Sequence, residues 1–197
     1  MWVYVPCAAG CMKPALTGTN VCAMHIADKA AFSEQLAAEM QKKTSVYNIV
    51  AAGLEFNEVD FNERRIYGSN FSGAVFNSCK FSGTLIKTVF FDYAVFNNCD
   101  FSASNIDFST FGGADIKNCN FSGSNIFHVN FNGATIINTK FDHSDLYNSR
   151  YNAASLVNTT FIDCNVKKVF FINAEQSNVS MKSSNTAEAI FKIDEIT

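Results

Sequence analysis

The chain has 197 residues, 20 of them Phe, and a formal net charge of −3 at pH 7. This length predicts one domain with small appendages, and the acidic balance argues against direct nucleic-acid binding. No apolar run approaches the roughly 20 residues of a membrane-spanning helix, so we expect no membrane contact. Residues 1–9 lack the charged and apolar regions of a signal peptide. Seven cysteines without an export signal favour a reducing compartment, the cytoplasm.

Two closely spaced pairs of metal-ligand residues stand in residues 1–27. Cys7 and Cys11 form the first pair, and Cys22 and His25 form the second. Close pairs let one turn supply two ligands to a tetrahedral Zn²⁺. The alternative is three free thiols and a surface histidine. The pattern is similar to short Cys3His motifs near the ends of phage and bacterial DNA-handling proteins, and this resemblance implies a bound metal. Because four ligands leave no open position, we expect structural zinc.

A helical cap is predicted over residues 28–54. Asp28 can cap a helix, and Phe32, Leu36 and Met40 recur at a spacing of four residues, which places them in one apolar stripe. We expect this stripe to pack on the first unit of the domain that follows and to cover its strand edge. A partner-binding helix is the alternative.

The central stretch, residues 55–175, has a large apolar residue at every fifth position. A period of five fits neither a helix nor a flat strand, and it predicts a coil that turns a corner after each unit. A small residue stands two positions before each large one, and the repeat cysteines occupy this position, so we interpret them as core residues. The large positions are Phe56, Phe61, Ile66, Phe71, Phe76, Phe81, Ile86, Phe91, Phe96, Phe101, Ile106, Phe111, Ile116, Phe121, Ile126, Phe131, Ile136, Phe141, Leu146, Tyr151, Leu156, Phe161, Val166 and Phe171.

A longer period of 20 residues relates like positions to each other. Phe61, Phe81 and Phe101 form one such column, and Ile66, Ile86 and others form another. A period of 20 within a period of five means four units per coil and a square cross-section. Because one coil cannot bury its apolar residues alone, stacked coils share a core. The sequence predicts about six coils.

The units resemble the A(D/N)LXX motif of pentapeptide-repeat proteins, as in residues 114–118, Ala-Asp-Ile-Lys-Asn. This resemblance implies an all-β solenoid, a right-handed quadrilateral β-helix, to which we add small α-helical caps at the N- and C-terminal ends. It also implies a gyrase-binding activity through DNA mimicry by an acidic rod. A mimic of DNA needs dense negative charge, but residues 56–174 contain ten acidic and nine basic residues.

One outward column carries aromatic side chains beside the Ile positions. Tyr67, Phe127 and Tyr147 stand one residue after them, and Phe108 and His128 stand two residues after them. Exposed aromatic clusters are favoured binding anchors, so we expect a partner-binding surface. The alternative is that the rings lie flat on the corners and only shield the backbone.

A C-terminal cap is predicted over residues 176–197, because Gln176 interrupts the large apolar positions. Asn185 and Glu188 have the spacing of a capping box and predict a short helix. The family resemblance implies a homodimer through this C-terminal end.

No catalytic site is expected. His128 and His143 fall on different faces of the coil, and the phosphate-binding, esterase and metalloprotease motifs are missing. The sequence favours a non-enzymatic macromolecular binding protein that presents rigid faces to a protein partner. We expect it to inhibit or modulate a nucleic-acid enzyme or a host defence factor. The alternatives are a DNA-mimic modulator of DNA gyrase and a structural scaffold or assembly component.

Overall fold

The structure is a computed structural model that describes residues 3–195. Its secondary structure comprises one α-helix, short strands and two 3₁₀ turns. The helix α1 spans Lys29–Gln41; the strands are β1 Ser45–Tyr47, β2 Glu55–Asn57, β3 Arg65–Tyr67, β4 Val75–Asn77, β5 Leu85–Lys87, β6 Val95–Asn97, β7 Asn105–Asp107, β8 Asp115–Lys117, β9 Asn125–Phe127, β10 Thr135–Ile137, β11 Ser155–Val157 and β12 Glu175–Ser177; the 3₁₀ turns are Thr186–Glu188 and Ile193–Glu195.

The strands stack in two parallel sheets on opposite sides of a solenoid. One sheet has the order β1-β3-β5-β7-β9 and the other β12-β11-β10-β8-β6-β4-β2. Paired strand residues are 20 positions apart, as Ile66 and Ile86 are. Single bridges such as Asp60 with Lys80 continue the same register on a third side. The predicted fold is confirmed: the chain forms a right-handed quadrilateral β-solenoid of about seven turns.

The coils extend beyond the predicted residues 55–175 at both ends. Ser45 in β1 already pairs with Arg65, and the last bridge joins Phe170 to Ile190. The early start was missed because small Ala51, fully buried, occupies a large position there. The late end was missed because Gln176 is polar, yet it still pairs with Leu156. The backbone of one coil therefore aligns the next coil even where an apolar side chain is lacking.

Stacked aromatic rings fill the core. Phe81 and Phe101 stack with ring centroids 4.5 Å apart and planes 2° apart. Neighbouring columns meet edge to face, as Phe96 and Phe101 do at 5.4 Å and 71°. Both geometries suit the ring quadrupole and add to the energy of burial. The predicted large positions from Phe56 to Phe171 are all buried.

The small inward position is filled by Ala, Val, Ser, Thr and Cys for a physical reason. Most hydroxyl and thiol groups at this position donate to the carbonyl 23 residues earlier, as Thr84 Oγ1 does to Phe61 at 2.8 Å and Cys164 Sγ does to Phe141 at 3.0 Å. Others donate to the carbonyl two residues earlier, as Ser109 does to Asp107 at 3.1 Å. A buried polar group is tolerated when it is hydrogen-bonded. The four repeat cysteines are buried core residues, which confirms their interpretation.

The residue two positions after each large residue turns the corner. It has φ near +55°, the left-handed region, and Gly and Asn are its most frequent occupants. These two residue types adopt this conformation at least cost. Exposed Asn side chains also form ladders between coils, such as Asn138 to Asn118 at 3.1 Å and Asn158 to Asn138 at 3.0 Å.

The helix α1 packs on the first coils as predicted. Asp28 accepts a hydrogen bond from the Ala31 N–H at 2.9 Å and caps the helix. Leu36 and Met40 are buried in the core cluster, and Phe32 packs against it while half-buried. Within residues 3–195, no helix is both long and apolar enough to cross a membrane.

The prediction of a C-terminal helix is wrong for the described part of this cap. The segment forms 3₁₀ turns, because the Asn185 side chain accepts a hydrogen bond from the Val166 N–H at 2.7 Å in the preceding coil. It therefore does not cap a helix of its own. Glu188 pairs with Lys167 at 3.1 Å, which also ties this segment to the coil before it.

Candidate metal centre and aromatic face

A short hairpin carries the first pair of ligand candidates. The Cys7 N–H donates to the Lys13 carbonyl at 2.9 Å, and Pro6 pairs with Pro14 across the antiparallel strands. Gly10, at φ +77°, turns the chain between Cys7 and Cys11. A second turn begins at Cys22, whose carbonyl accepts the His25 N–H at 2.9 Å. Two turns therefore present two ligand pairs to each other.

The four predicted ligand side chains converge. The ligand atoms of Cys7, Cys11, Cys22 and His25 all lie within 4.8 Å of one another. His25 Nδ1 lies 3.4 Å from Cys7 Sγ, 3.6 Å from Cys11 Sγ and 3.4 Å from Cys22 Sγ. The Cys11 and Cys22 sulfurs are 3.5 Å apart. A tetrahedral zinc site with Zn–S near 2.3 Å and Zn–N near 2.0 Å has ligand–ligand edges of about 3.5–3.8 Å. The arrangement therefore makes a possible metal site.

Local electrostatics favour thiolates at two of the three cysteines. Burial alone would raise the pKa of Cys7, but the N–H groups of Cys22 and Ala9 point at its sulfur and lower the pKa to about 6. Burial likewise opposes ionisation of Cys22, but hydrogen bonds from the Met24 N–H and the His25 ring lower its pKa. The Lys13 N–H favours the Cys11 thiolate, but burial and the neighbouring sulfurs outweigh it, so the pKa of Cys11 is raised. Three sulfurs at this distance thus need a cation to ionise together.

The neighbouring sulfurs also stabilise the protonated form of His25. The sulfur of Cys22, followed by that of Cys7, accepts a hydrogen bond from the ring and raises the pKa of His25. A metal ion would replace this proton, because a coordinating imidazole is neutral. Metal binding at this cluster is therefore expected to release protons.

The predicted aromatic residues lie on one side of the solenoid. We call this surface the aromatic strip. Phe108 and His128 stack at 4.6 Å with planes 6° apart, and His128 meets Tyr147 edge to face at 6.0 Å. Tyr67 lies at the N-terminal end of the strip, and Phe127 is half-buried in the strand that leads to His128. Five predicted residues thus share one face, but they are spread over several coils.

Two residues of the strip occupy left-handed corner positions. Phe108 has φ +47° and His128 has φ +56°; this conformation disfavours a bulky residue such as Phe108, whereas histidine adopts it more readily. Phe108 is nevertheless 55% exposed, so its ring contributes little to the core. Strain of this kind suggests a role other than stability.

The structure adds three residues to the strip, Tyr47, Lys87 and Lys168, whose contacts with its rings the sequence did not indicate. Tyr47 stacks on Tyr67 at 5.2 Å and is 58% exposed. It was missed because the repeat was read from Phe56, although the residue before it pairs with Ile66. Lys87 lies 6.0 Å over the Phe108 ring and Lys168 5.7 Å over Tyr147, within the range of cation–π attraction.

On a neighbouring face, an outward ring does cover the backbone, as the alternative interpretation of the outward rings expects. A Cβ at Gly113 would meet the Tyr93 ring at 2.7 Å, so this ring lies directly over the glycine. Tyr93 nonetheless remains 75% exposed. The Phe108 ring instead lies against another outward ring, His128, and a lysine.

Comparisons with known proteins agree with this geometry. The model of the Pentapeptide repeats family matches eight copies within residues 55–87, 91–123 and 115–150. No curated protein sequence matches the chain.

The chain also matches solved structures of a resistance protein, a cyanobacterial protein and a plant protein. A trypsin-treated form of QnrB1, a plasmid-mediated fluoroquinolone resistance protein, is 14% identical, with 71% of this chain and 81% of that chain covered and a TM-score of 0.28. Rfr23 from the cyanobacterium Cyanothece 51142 is 8% identical, with coverage of 81% and 99% and a TM-score of 0.35. A protein from the thylakoid lumen of Arabidopsis thaliana is 23% identical, with coverage of 55% and 66% and a TM-score of 0.22. From its repeats and its coils, the chain belongs to the pentapeptide-repeat proteins.

Proposed function

We propose that the protein is a non-enzymatic binding protein whose coils hold the aromatic strip in place for a protein partner. The observation that carries this proposal is the exposed stack of Phe108 on His128, with Phe108 at a left-handed corner that disfavours an aromatic residue. Aromatic side chains held rigid at a surface have little conformational entropy to lose on binding. They are also among the residue types that anchor protein interfaces.

The composition of the core supports a role without catalysis. Stacked rings fill the interior, for example Phe81 with Phe101 at 4.5 Å and Tyr151 with Phe171 at 5.2 Å, so the coils hold side chains where a substrate would need space. Pairs such as Lys87 with Asp107 lie on the outside. Outward carboxylates paired in this way are suited to solubility and recognition more than to acid–base catalysis.

The partner we propose is a nucleic-acid enzyme or a host defence factor that the bound solenoid inhibits or modulates. The similarity of the Cys/His motif to those of DNA-handling proteins motivates this choice. DNA mimicry of the gyrase kind is less favoured, because charge alternates along the solenoid. Stacked bridges join Asp60 to Lys80 and Lys80 to Asp100, so opposite charges follow one another on this side, whereas a DNA mimic needs charge of one sign.

Site-specific photo-crosslinking tests this proposal. A benzophenone amino acid would replace Phe127 on the aromatic strip and, as a matched control, Val95, which is also outward and half-buried but lies in the opposite sheet. We expect a discrete crosslinked partner from the Phe127 position only. Equal crosslinking at both positions, or none at either, contradicts the strip as the contact surface.

We also propose that the Cys/His cluster binds one structural Zn²⁺. The supporting observation is that a single ring nitrogen of His25 faces three sulfurs at 3.4–3.6 Å. That nitrogen can take part in one ordinary hydrogen bond, whereas one central cation would account for all three contacts. Three thiolates and one imidazole are a common structural zinc set.

Native mass spectrometry tests the metal. One Zn²⁺ per chain is expected for the wild type, and Cys22→Ser is expected to lose it. The matched control is Cys119→Ser, which changes a buried repeat cysteine outside the cluster and is expected to keep the metal. Serine already fills the same small position elsewhere, as Ser124 does, so this control should fold. A wild-type mass without bound metal would contradict this proposal.

A homodimer through the C-terminal end is the third element of the proposal. The last strand, β12, lies at the edge of its sheet. Val179 and Met181 of the final coil are half-buried, and Ile193 is 69% exposed. A second copy would cover this apolar end. Light scattering is expected to give a dimer for the wild type and a monomer for Ile193→Asp; a monomeric wild type contradicts it.

A further inference from the structure

We propose that the apolar surface of the Cys/His segment binds an amphipathic helix with acidic side chains, presented by a partner protein. We call this surface the knuckle patch. It consists of Val3, Tyr4, Val5, Met12 and Met24, which are 77%, 48%, 49%, 75% and 66% exposed. The described coils expose Tyr47, Tyr93 and Phe108 at separate corners and strands, whereas these five residues all lie within residues 3–24. A concentrated exposed apolar surface of this kind marks an interaction site.

A cleft beside the knuckle patch offers room for an anchoring side chain. It has a volume of about 450 Å³ and lies between the Cys/His segment and the first coils. Tyr4, Pro14 and Met24 line it from the segment, and Gly73 lines it from the coils. A Cβ at Gly73 would meet nothing within 4 Å, so the cleft is open there. Its size suits a leucine or an aromatic side chain.

The hairpin holds the patch in a defined shape. The Tyr4 hydroxyl donates to the Met12 carbonyl at 2.6 Å across the hairpin. Met12 has φ +60°, an unfavourable conformation for a residue with a long side chain. Its exposed thioether gains no core packing in return. Methionine side chains are adaptable and are frequent where a protein receives the apolar face of a helix.

The backbone of the hairpin disfavours a β-strand as the occupant. Val5 accepts a hydrogen bond from the Ala15 N–H, and the Cys7 N–H donates to Lys13, so both residues direct these groups across the hairpin. The outer edge includes Pro6, which has no N–H to donate. A proline at an edge makes a poor template for strand addition. The occupant accordingly binds through side chains, which suits a helix lying across the patch.

Charge complementarity favours acidic side chains next to the apolar face of that helix. Residues 3–27 contain Lys13 and no Asp or Glu, although the whole chain is acidic. Lys13 is exposed and lines the cleft. A carboxylate next to the apolar anchor would pair with Lys13, whereas a basic helix would be repelled by it.

The test uses the full chain labelled at its methionine methyl groups and observed by NMR. The probe is a helical peptide of Leu, Ala and Glu with its leucines on one face, compared with a counterpart in which Lys replaces each Glu. We expect the acidic peptide to shift the signals of Met12 and Met24. Those of Met40 and Met181, which pack in or against the core, should stay in place. The basic counterpart is expected to bind at least about tenfold more weakly.

Two variants separate this surface from the aromatic strip. Lys13→Glu, at an exposed position, is expected to weaken the acidic peptide about fivefold or more without a change in folding. Phe108→Asn on the strip is expected to leave peptide binding unchanged, so failure of the strip proposal does not affect this result. No shift at Met12 and Met24 with the acidic peptide, or equal binding of both peptides, overturns the proposal.

Discussion

Tyr151 carries a hydroxyl group into a column of phenylalanine rings. Its ring stacks on Phe131 at 4.8 Å and on Phe171 at 5.2 Å. The residue is fully buried, and its hydroxyl has no hydrogen-bond partner in the described part of the chain. Burial raises the pKa of Tyr151 well above its usual value, so the group stays neutral. An unsatisfied buried hydroxyl costs about 1–3 kcal/mol.

Tyr151→Phe is therefore expected to raise the free energy of unfolding by about 1–3 kcal/mol. Chemical denaturation followed by circular dichroism measures this change. The matched control is Phe131→Tyr, which buries a second hydroxyl in the same column and is expected to destabilise by a similar amount. An unchanged or lowered stability of Tyr151→Phe would show that the hydroxyl finds a partner.

At the scale of elements, the Cys/His segment and the coils differ in what stabilises them. The coils share one continuous core that extends to Phe171. Of residues 3–27, Leu16 is buried in that core, while Ala23 and Ile26 pack against it half-buried. Two hydrogen bonds join Thr17 to Val50 of the coils, and the rest of the segment is held by its own turns and by the ligand cluster. Regions with few buried apolar contacts open independently of the rest.

Removal of the metal is expected to destabilise the segment, so that it opens frequently, and to spare the coils. Chelation should abolish slow amide hydrogen exchange over residues 3–27, because the segment without metal has little else to hold it. Exchange over residues 45–190 should stay slow. The control is Cys119→Ser treated in the same way. A loss of protection throughout the coils would contradict this division.

Acid is expected to have the same effect as the chelator. The folded-state pKa of Cys7 is lowered to about 6, below the usual value near 8.5. The contribution of its thiolate is therefore complete above the unfolded-state value and is lost as the pH falls through about 6. In metal-free protein we expect the residual order of the segment to be lost near that pH. Bound metal competes with protons and moves the transition to lower pH.

A pH titration of the methyl NMR signals of Met12 and Met24 measures this transition with and without Zn²⁺. Both residues lie in the segment and are exposed, so their signals report its order. The Met40 signal, from a residue buried in the core, serves as the internal control and should not follow the transition. A midpoint that is insensitive to the metal contradicts the expectation.

Much of the fold could be predicted because single residue types recur at fixed intervals along the sequence. The column of Ile66, Ile86 and Ile106 identified both the coil and its register, and the structure pairs these residues directly. The ends could not be predicted, since Gln176 aligns through backbone pairing with Leu156 rather than through burial. The residue type at a large position does not reveal such pairing.

The candidate sites were predictable to different degrees. Short spacings indicated that Cys7, Cys11, Cys22 and His25 converge, because turns of that length leave few alternatives. The stack of Phe108 on His128 follows from the period of 20. The positions of lysines over the rings depend on side-chain directions at left-handed corners. The knuckle patch depends on tertiary packing. The period of the sequence therefore predicts neither feature.

At the scale of the whole molecule, the solenoid is a rigid body with mixed charge. Acidic and basic residues alternate between stacked coils, as Asp60, Lys80 and Asp100 do. Such a surface lacks the continuous negative charge that a DNA-binding groove selects. The molecule is therefore suited to contacts through shape and aromatic anchors.

Purified DNA gyrase is accordingly expected to supercoil DNA at the same rate with and without micromolar protein. Because alternating charges largely cancel beyond about 8 Å at physiological salt, the solenoid should not compete with DNA. A supercoiling assay measures this, and the Lys80→Glu, Lys140→Glu double variant, which makes one column more acidic, provides the comparison. Inhibition or protection by the wild type at that concentration would restore the DNA-mimic alternative.

The central claim is that the aromatic strip binds the partner, and one double variant tests it most directly. The double variant combines Phe108→Asn and His128→Asn. Asparagine already occupies several other corners of the solenoid. Loss of the stack costs about 0.5–1.5 kcal/mol, and relief of strain at the corners offsets about 1 kcal/mol or more. The fold is therefore expected to stay within about 1 kcal/mol of the wild type.

Affinity enrichment from bacterial lysate, quantified by mass spectrometry, provides the measurement. The wild type is expected to enrich one partner that the double variant loses, although both proteins have closely similar melting temperatures. If the double variant enriches the same partner to the same extent, the aromatic strip is not the binding surface and the central claim is wrong.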